Sequence, residues 1–164
     1  MIFARGISLH PPCREGRLCM VYESYCTDDT KKIGFELAKK AAAGDVYCLI
    51  GELGAGKTVF AKGFARGLGI DADVTSPTFT ILNEYRESRL SLFHFDLYRM
   101  GNPYELFAMG YEEYFFGDGV TLVEWPENAG NLIPDNSVHI RIETDYERSP
   151  EFRRITVQRG RTVW

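Results

Sequence analysis

The residues with the plainest chemistry are the eight of Gly51-Glu-Leu-Gly-Ala-Gly-Lys-Thr58. Their spacing, Gly-x4-Gly-Lys-Thr, is that of a phosphate loop. Gly51, Gly54 and Gly56 permit backbone torsions that a side chain would forbid, so consecutive N–H groups can turn inward around an anion. The cradle is expected to run from Gly51 through Glu52, Leu53, Gly54, Ala55, Gly56, Lys57 and Thr58 to Val59. Lys57 adds a point charge at the outer phosphates, and the Thr58 hydroxyl is placed to ligate Mg²⁺. A glycine-rich turn with a solvated lysine is the plainer reading. It leaves unexplained why an apolar run, Val46 to Ile50, precedes the loop as a buried strand and a periodic helix follows from Lys57.

Such a loop needs carboxylates at strand ends to hold Mg²⁺ or its waters and to orient an attacking oxygen. Asp96, after Leu92-Phe-His-Phe95, and Glu124, after Leu122-Val123, fit those positions. Either alone also reads as a solvated acid that ends a strand. His94, two residues before Asp96, points to the same strand face and by itself reads as a packed histidine rather than a ligand or base. In Val74-Thr-Ser-Pro-Thr-Phe-Thr80, the hydroxyls around Ser76, Pro77 and Thr78 suit a γ-phosphate-sensing switch, or equally a turn leading into a strand. Trp125 is either an exposed platform for a partner or core, with core the default for its size.

The elements that position these residues can be read from periodicity. Thr27 caps a helix to about residue 43, with Ile33, Leu37, Ala38 and Ala41 as its stripe and Gly44 as its stop. Helix 57–68 packs through Phe60, Ala61, Phe64, Ala65 and Leu68 and ends at Gly69. Segments near 78–85 and 90–96 read as an antiparallel hairpin. Asn102-Pro-Tyr-Glu105 starts a short helix, 112–116 forms another turn, and 119–125 is a buried strand. Segments 137–145 and 152–158 alternate apolar and polar, as antiparallel additions at the sheet edge would. The expected fold class is α/β, a P-loop NTPase-like mixed sheet flanked by helices, with antiparallel C-terminal strands.

The 164 residues suit one domain, placed at 20–164. Residues 1–19 differ in character, with Pro11-Pro12 and no sustained period; they read as a disordered arm, an edge strand or a non-native extension, with Met20 as the biological start. A composition 45% hydrophobic and 26% charged is that of an ordinary globular protein. No apolar run reaches the roughly 18 residues of a membrane span, so no membrane partner is expected. A net charge of −4 gives no basic footprint for DNA. Cys13, Cys19, Cys26 and Cys48 lack zinc-site spacing, and the absence of a secretory signal points to the cytoplasm.

Four segments together, Gly51 to Thr58, Ser76-Pro-Thr-Phe79, His94-Phe-Asp-Leu-Tyr-Arg99 and Leu122-Val-Glu-Trp-Pro126, resemble the bacterial TsaE (YjeE) family in order and spacing. The resemblance covers about residues 20–159. It implies an ATPase that binds ATP or ADP with Mg²⁺ and supports the TsaB–TsaD pair in tRNA threonylcarbamoyladenosine (t6A) synthesis, meeting tRNA only through that complex. It further implies Thr58 and Glu124 as metal ligands and Asp96 as an acid assisting metal or water, making Lys57, Asp96 and Glu124 the catalytic set. Thr30 would lie by the adenine, Ser76 to Thr80 would form the switch-like loop, and Arg154, or Arg153 adjoining it, would match an arginine near the nucleotide.

The strongest alternative is a shikimate-type small-molecule kinase, which shares the loop spacing. Such enzymes need an arginine-rich lid, and between residues 59 and 120 only Arg66, Arg86, Arg89 and Arg99 occur. A GTPase is disfavoured because no Asn-Lys-x-Asp motif is present.

Overall fold

The computed structural model describes residues 7–8, 19–86 and 89–160. Among the described residues its strands and α-helices, in chain order with one 3₁₀ segment, are β1 (Ile7–Ser8), β2 (Cys19–Ser24), α1 (Thr27–Ala38), β3 (Val46–Ile50), α2 (Lys57–Leu68), β4 (Leu82–Tyr85), β5 (Leu92–Asp96), α3 (Tyr104–Ala108), α4 (Glu112–Phe115), β6 (Val120–Glu124), the 3₁₀ segment Pro126–Leu132, β7 (Val138–Thr144) and β8 (Arg153–Arg159).

The strands form one mixed sheet in the order β1-β2-β8-β7-β3-β6-β5-β4. At its centre β7, β3, β6 and β5 run parallel, and the flanking pairs are antiparallel. Strands 3 and 6 are apolar along nearly their whole length because both faces are covered. One face carries Tyr47, Leu49, Leu92, Leu122 and Ile140 under α1 and α2; the other carries Val46, Cys48, Phe93, Phe95 and Val123 under α3, α4 and the 3₁₀ segment. The C-terminal strands are antiparallel to each other as expected. They are not, however, an edge addition: β7 pairs in parallel with β3, and β8 continues to β2. Alternation in β7 begins only after its first residues, Val138, His139 and Ile140, which are all buried, and this marks an interior strand.

Helix α2 packs through the expected Phe60, Ala61, Phe64, Ala65 and Leu68, and Gly69 terminates it in the left-handed conformation at φ 90°. Helix α1 is shorter than expected, ending at Ala38, and its side chains share the contact with α2 among close-set glycines. The cap expected at Asn102 is present: Tyr104 N donates to Asn102 Oδ1, while Gly101 N and Asn102 N donate to Glu105 Oε1. The hairpin's first strand begins only at Leu82, because Thr78 to Thr80 form a turn closed by Ile81 N donating to Pro77 O at 2.7 Å. The proposed arm 1–19 and the start at Met20 fall mostly on residues outside those described; of that segment, Ile7–Ser8 pair with Val21–Tyr22 and Cys19 opens β2. No helix among the described residues is long and apolar enough to cross a membrane.

His139, buried on β7 opposite Cys48, is pushed down to about 4 by burial and then by the charge of Arg141. The unfolded chain therefore binds a proton that the folded chain refuses between about pH 6.5 and 4. Stability is complete above that window and falls as pH drops through it, by on the order of 2–3 kcal/mol. His139→Gln should flatten this part of the curve of denaturation midpoint against pH; an unchanged slope would place the loss on other groups.

Candidate functional site

The loop leaves β3 at Ile50 and enters α2 at Lys57, so its torsions are set by two well-buried elements. Gly54 and Gly56 have φ of 79° and 106°, and a Cβ on Gly51 would come within 2.7 Å of Ile142 O. The turn is thus available only to glycine at these three places. Lys57 Nζ donates to Gly51 O at 2.7 Å and Glu52 O at 2.9 Å, and lies 4.3 Å from the centre of the Trp125 ring. Its ammonium is held below the usual lysine range chiefly by loss of water, partly offset by the charges of Glu124, Asp96 and Glu127. Three acids distant in sequence therefore converge on the lysine of the loop.

Asp96 and Glu124 end adjacent parallel strands as register partners, which brings their carboxylates to one end of the sheet. Both are buried, so neither is the solvated strand-end acid of the plainer reading. Asp96 Oδ2 accepts from Ser76 Oγ at 2.8 Å and Thr78 Oγ1 at 2.7 Å, and Oδ1 accepts from Tyr98 N at 3.0 Å. The hydroxyl-rich segment is thereby tied to the acid across about twenty residues of sequence, beyond what a local turn requires. Glu124 Oε1 lies 2.9 Å from His94 Nε2, and its backbone O accepts from Leu97 N.

Trp125 is neither core nor free platform: half-buried, in the left-handed region at φ 57°, it covers Lys57 and stands 5.0 Å from the Tyr98 ring. A non-glycine residue held there is strained, as functional sites often are. At the rim, Leu53 and Phe79 are exposed, and Arg99 stacks on Phe79 at 4.5 Å. Val59 is half-buried on the first turn of α2. Thr30, on the first turn of α1, is buried, and its hydroxyl shares a hydrogen bond with Ser24 Oγ at 2.7 Å. The arginine at the loop is Arg153, whose Nε donates to Ala55 O at 2.7 Å, whereas Arg154 is exposed and faces Glu23 across the β2–β8 pair. The two are adjacent on a strand whose side chains alternate, so only register could have separated them. Tyr98 was likewise not singled out beforehand, though it lies two residues after Asp96.

The donor set is one hydroxyl, Thr58, and two carboxylates, all hard oxygen ligands suited to Mg²⁺. Among the described residues no cluster of three or more His, Cys, Asp or Glu could hold a metal alone. A cavity of about 440 Å³ lies on the α1–α2 surface, lined by Lys31, Lys62, Arg66 and Asp73 among others and by no residue of the 51–58 loop.

A family model described as threonylcarbamoyl adenosine biosynthesis protein TsaE matches residues 25–154. The tRNA threonylcarbamoyladenosine biosynthesis protein TsaE of Bacillus subtilis is 47% identical over 127 residues, 76% of this chain and 79% of that protein. Its counterpart in Treponema pallidum is 40% identical over 119 residues, 73% of this chain and 87% of the relative. The crystal structure of Bacillus subtilis YdiB superposes with a TM-score of 0.75 at 38% identity, covering 88% of each chain. The matched region contains the glycine-rich loop 51–58, the Ser76–Thr78 segment and both strand-end acids, and by these comparisons the chain belongs to the TsaE family of threonylcarbamoyladenosine biosynthesis proteins.

Proposed function

We propose that this protein binds ATP with Mg²⁺, hydrolyses it slowly, and uses that cycle in the cytoplasm to support TsaB and TsaD in forming t6A on tRNA. The convergence of Asp96, Glu124 and the loop on Lys57 carries the reading. The loop amides and Lys57 take the phosphates, and Lys57 exchanges its two carbonyl partners for phosphate oxygens as charge develops at the γ-phosphoryl group. Thr58 and Glu124 would hold Mg²⁺, which supplies charge neutralisation between the outer phosphates. Asp96 already accepts three hydrogen bonds out of about four positions on a carboxylate, leaving one for an attacking water. Its role is therefore to orient that water and, through Ser76 and Thr78, to couple it to the switch-like loop.

The tRNA enters this reading only through the complex, and the names of the relatives are what point to the pathway. The test is ATP turnover and t6A formation by the purified chain alone and with TsaB and TsaD. Slow turnover that rises with the partners is expected; partner-independent phosphorylation of a metabolite would instead support a kinase. Glu124→Ala should lower Mg²⁺-dependent turnover by about 100-fold while changing ADP affinity in EDTA little. Wild-type turnover in this variant would remove Glu124 from the site.

A further inference from the structure

His94 is fully buried in the middle of β5, between Phe93 and Phe95, where an apolar residue would cost nothing in hydration. Among the described residues its Nδ1 has no hydrogen-bond partner. Among the described residues the polar contact of the ring is Nε2 to Glu124 Oε1, at 2.9 Å with both side chains out of solvent. A carboxylate only accepts, so Nε2–H is the donor. The contact is diagonal: the register partner of His94 is Leu122, and Glu124 lies two residues further along β6, opposite Asp96. An unpaired ring nitrogen in the core is a cost that packing alone does not explain. A leucine here would extend the apolar surface of Leu92 and Leu122 on the same face.

We propose that His94 is a positioning residue for the nucleotide's metal: its Nε2–H pins Glu124 Oε1 so that the carboxylate presents its other oxygen in a fixed direction. This rests on the ATP·Mg²⁺ reading above. Without the ring, Glu124 would keep its charge but lose one fixed rotamer, and metal affinity would fall while the phosphate cradle stayed intact. Outer partners of ligating groups commonly contribute ten- to a hundredfold in metal affinity.

The experiment titrates Mn²⁺ into the ADP-saturated protein by electron paramagnetic resonance, with ADP affinity in EDTA measured alongside. The proteins are wild type, His94→Leu, His94→Asn, His94→Gln, Glu124→Gln, and the double variant His94→Leu/Glu124→Gln. Asn places its amide near the Nδ1 position and cannot reach Glu124, whereas Gln places an N–H near Nε2. His94→Leu and His94→Asn should weaken Mn²⁺ binding by about tenfold with ADP affinity in EDTA unchanged, and His94→Gln should recover most of it. Leu at 94 should add nothing once Glu124 is Gln. Should the leucine variant not fold, the Asn and Gln pair decides the matter alone. Wild-type Mn²⁺ affinity in His94→Asn, or equal loss in Asn and Gln, overturns the positioning role. Absence of ADP-dependent Mn²⁺ binding in the wild type overturns the ATP·Mg²⁺ reading instead.

Discussion

Lys57→Ala is expected to lower ATP turnover by about 100-fold or more and to leave the nucleotide-free protein as stable as wild type, or slightly more so. The two halves of this expectation come from one observation. The ammonium is buried among carbonyl oxygens and an indole, and loss of water holds its charge below the ordinary lysine range. A cation whose folded-state affinity for its proton is depressed destabilises the fold at neutral pH relative to an uncharged side chain. Glu124, Asp96 and Glu127 offset only part of that. On the proposed function, such a charge would be retained for a polyphosphate that replaces Gly51 O and Glu52 O as its partners. Lys57→Arg should not rescue, because the planar guanidinium is too broad for a cage formed by two loop carbonyls and the Trp125 ring. Calorimetric titration with ADP and ATP, beside thermal unfolding without nucleotide, separates the two effects. A variant that binds ATP as wild type does would refute the phosphate role; one that binds weakly but also melts early would show that the lysine braces the loop instead.

The parts of this site that were legible in the sequence are those in which chemistry and local structure coincide. The loop could be read because glycine spacing, a strand before it and a helix after it are all local. Asp96 and Glu124 could be read as strand ends, but whether they are solvated or convergent depends on β5 and β6 being parallel neighbours, which no local pattern encodes. The switch-like segment remained ambiguous for the same reason: Ser76 and Thr78 reach Asp96 only because the turn at 78–80 folds onto the end of β5. The interior position of β7 was missed because exposed Arg141 and Glu143 give the strand an alternating appearance, while its first residues bury both faces. Arg153, one residue from the arginine singled out, shows the same limit at the scale of strand register.

The helix pair beneath the site supports the second large effect. Residue patterns give α1 an apolar stripe, yet its closest approach to α2 is made by backbone: a Cβ at Gly63 would lie 2.5 Å from Lys31 Cα and closer still to its carbonyl oxygen. A Cβ at Gly34 would meet Phe60 O at 2.6 Å, and one at Gly67 would meet Ala38 Cβ at 2.7 Å. Since the obstacle at Gly63 is main chain within a helix, it cannot swing aside as a side-chain end would, and the helices must separate. Gly63→Ala should therefore cost about 3 kcal/mol, at the upper end of overpacking, and lower the melting temperature by roughly 10 °C. Because α2 begins at Lys57 and Thr58, the same displacement should weaken nucleotide binding without touching any binding residue. Gly69→Ala is the control: it too is strained, at φ 90°, but a Cβ there meets nothing within 4 Å, so only about 1 kcal/mol of backbone cost is expected. Chemical denaturation of both variants, with ADP titration of each, gives the comparison. If Gly63→Ala proves no more damaging than Gly69→Ala, the two helices do not approach as closely as their backbones imply, and the loop is anchored by β3 alone.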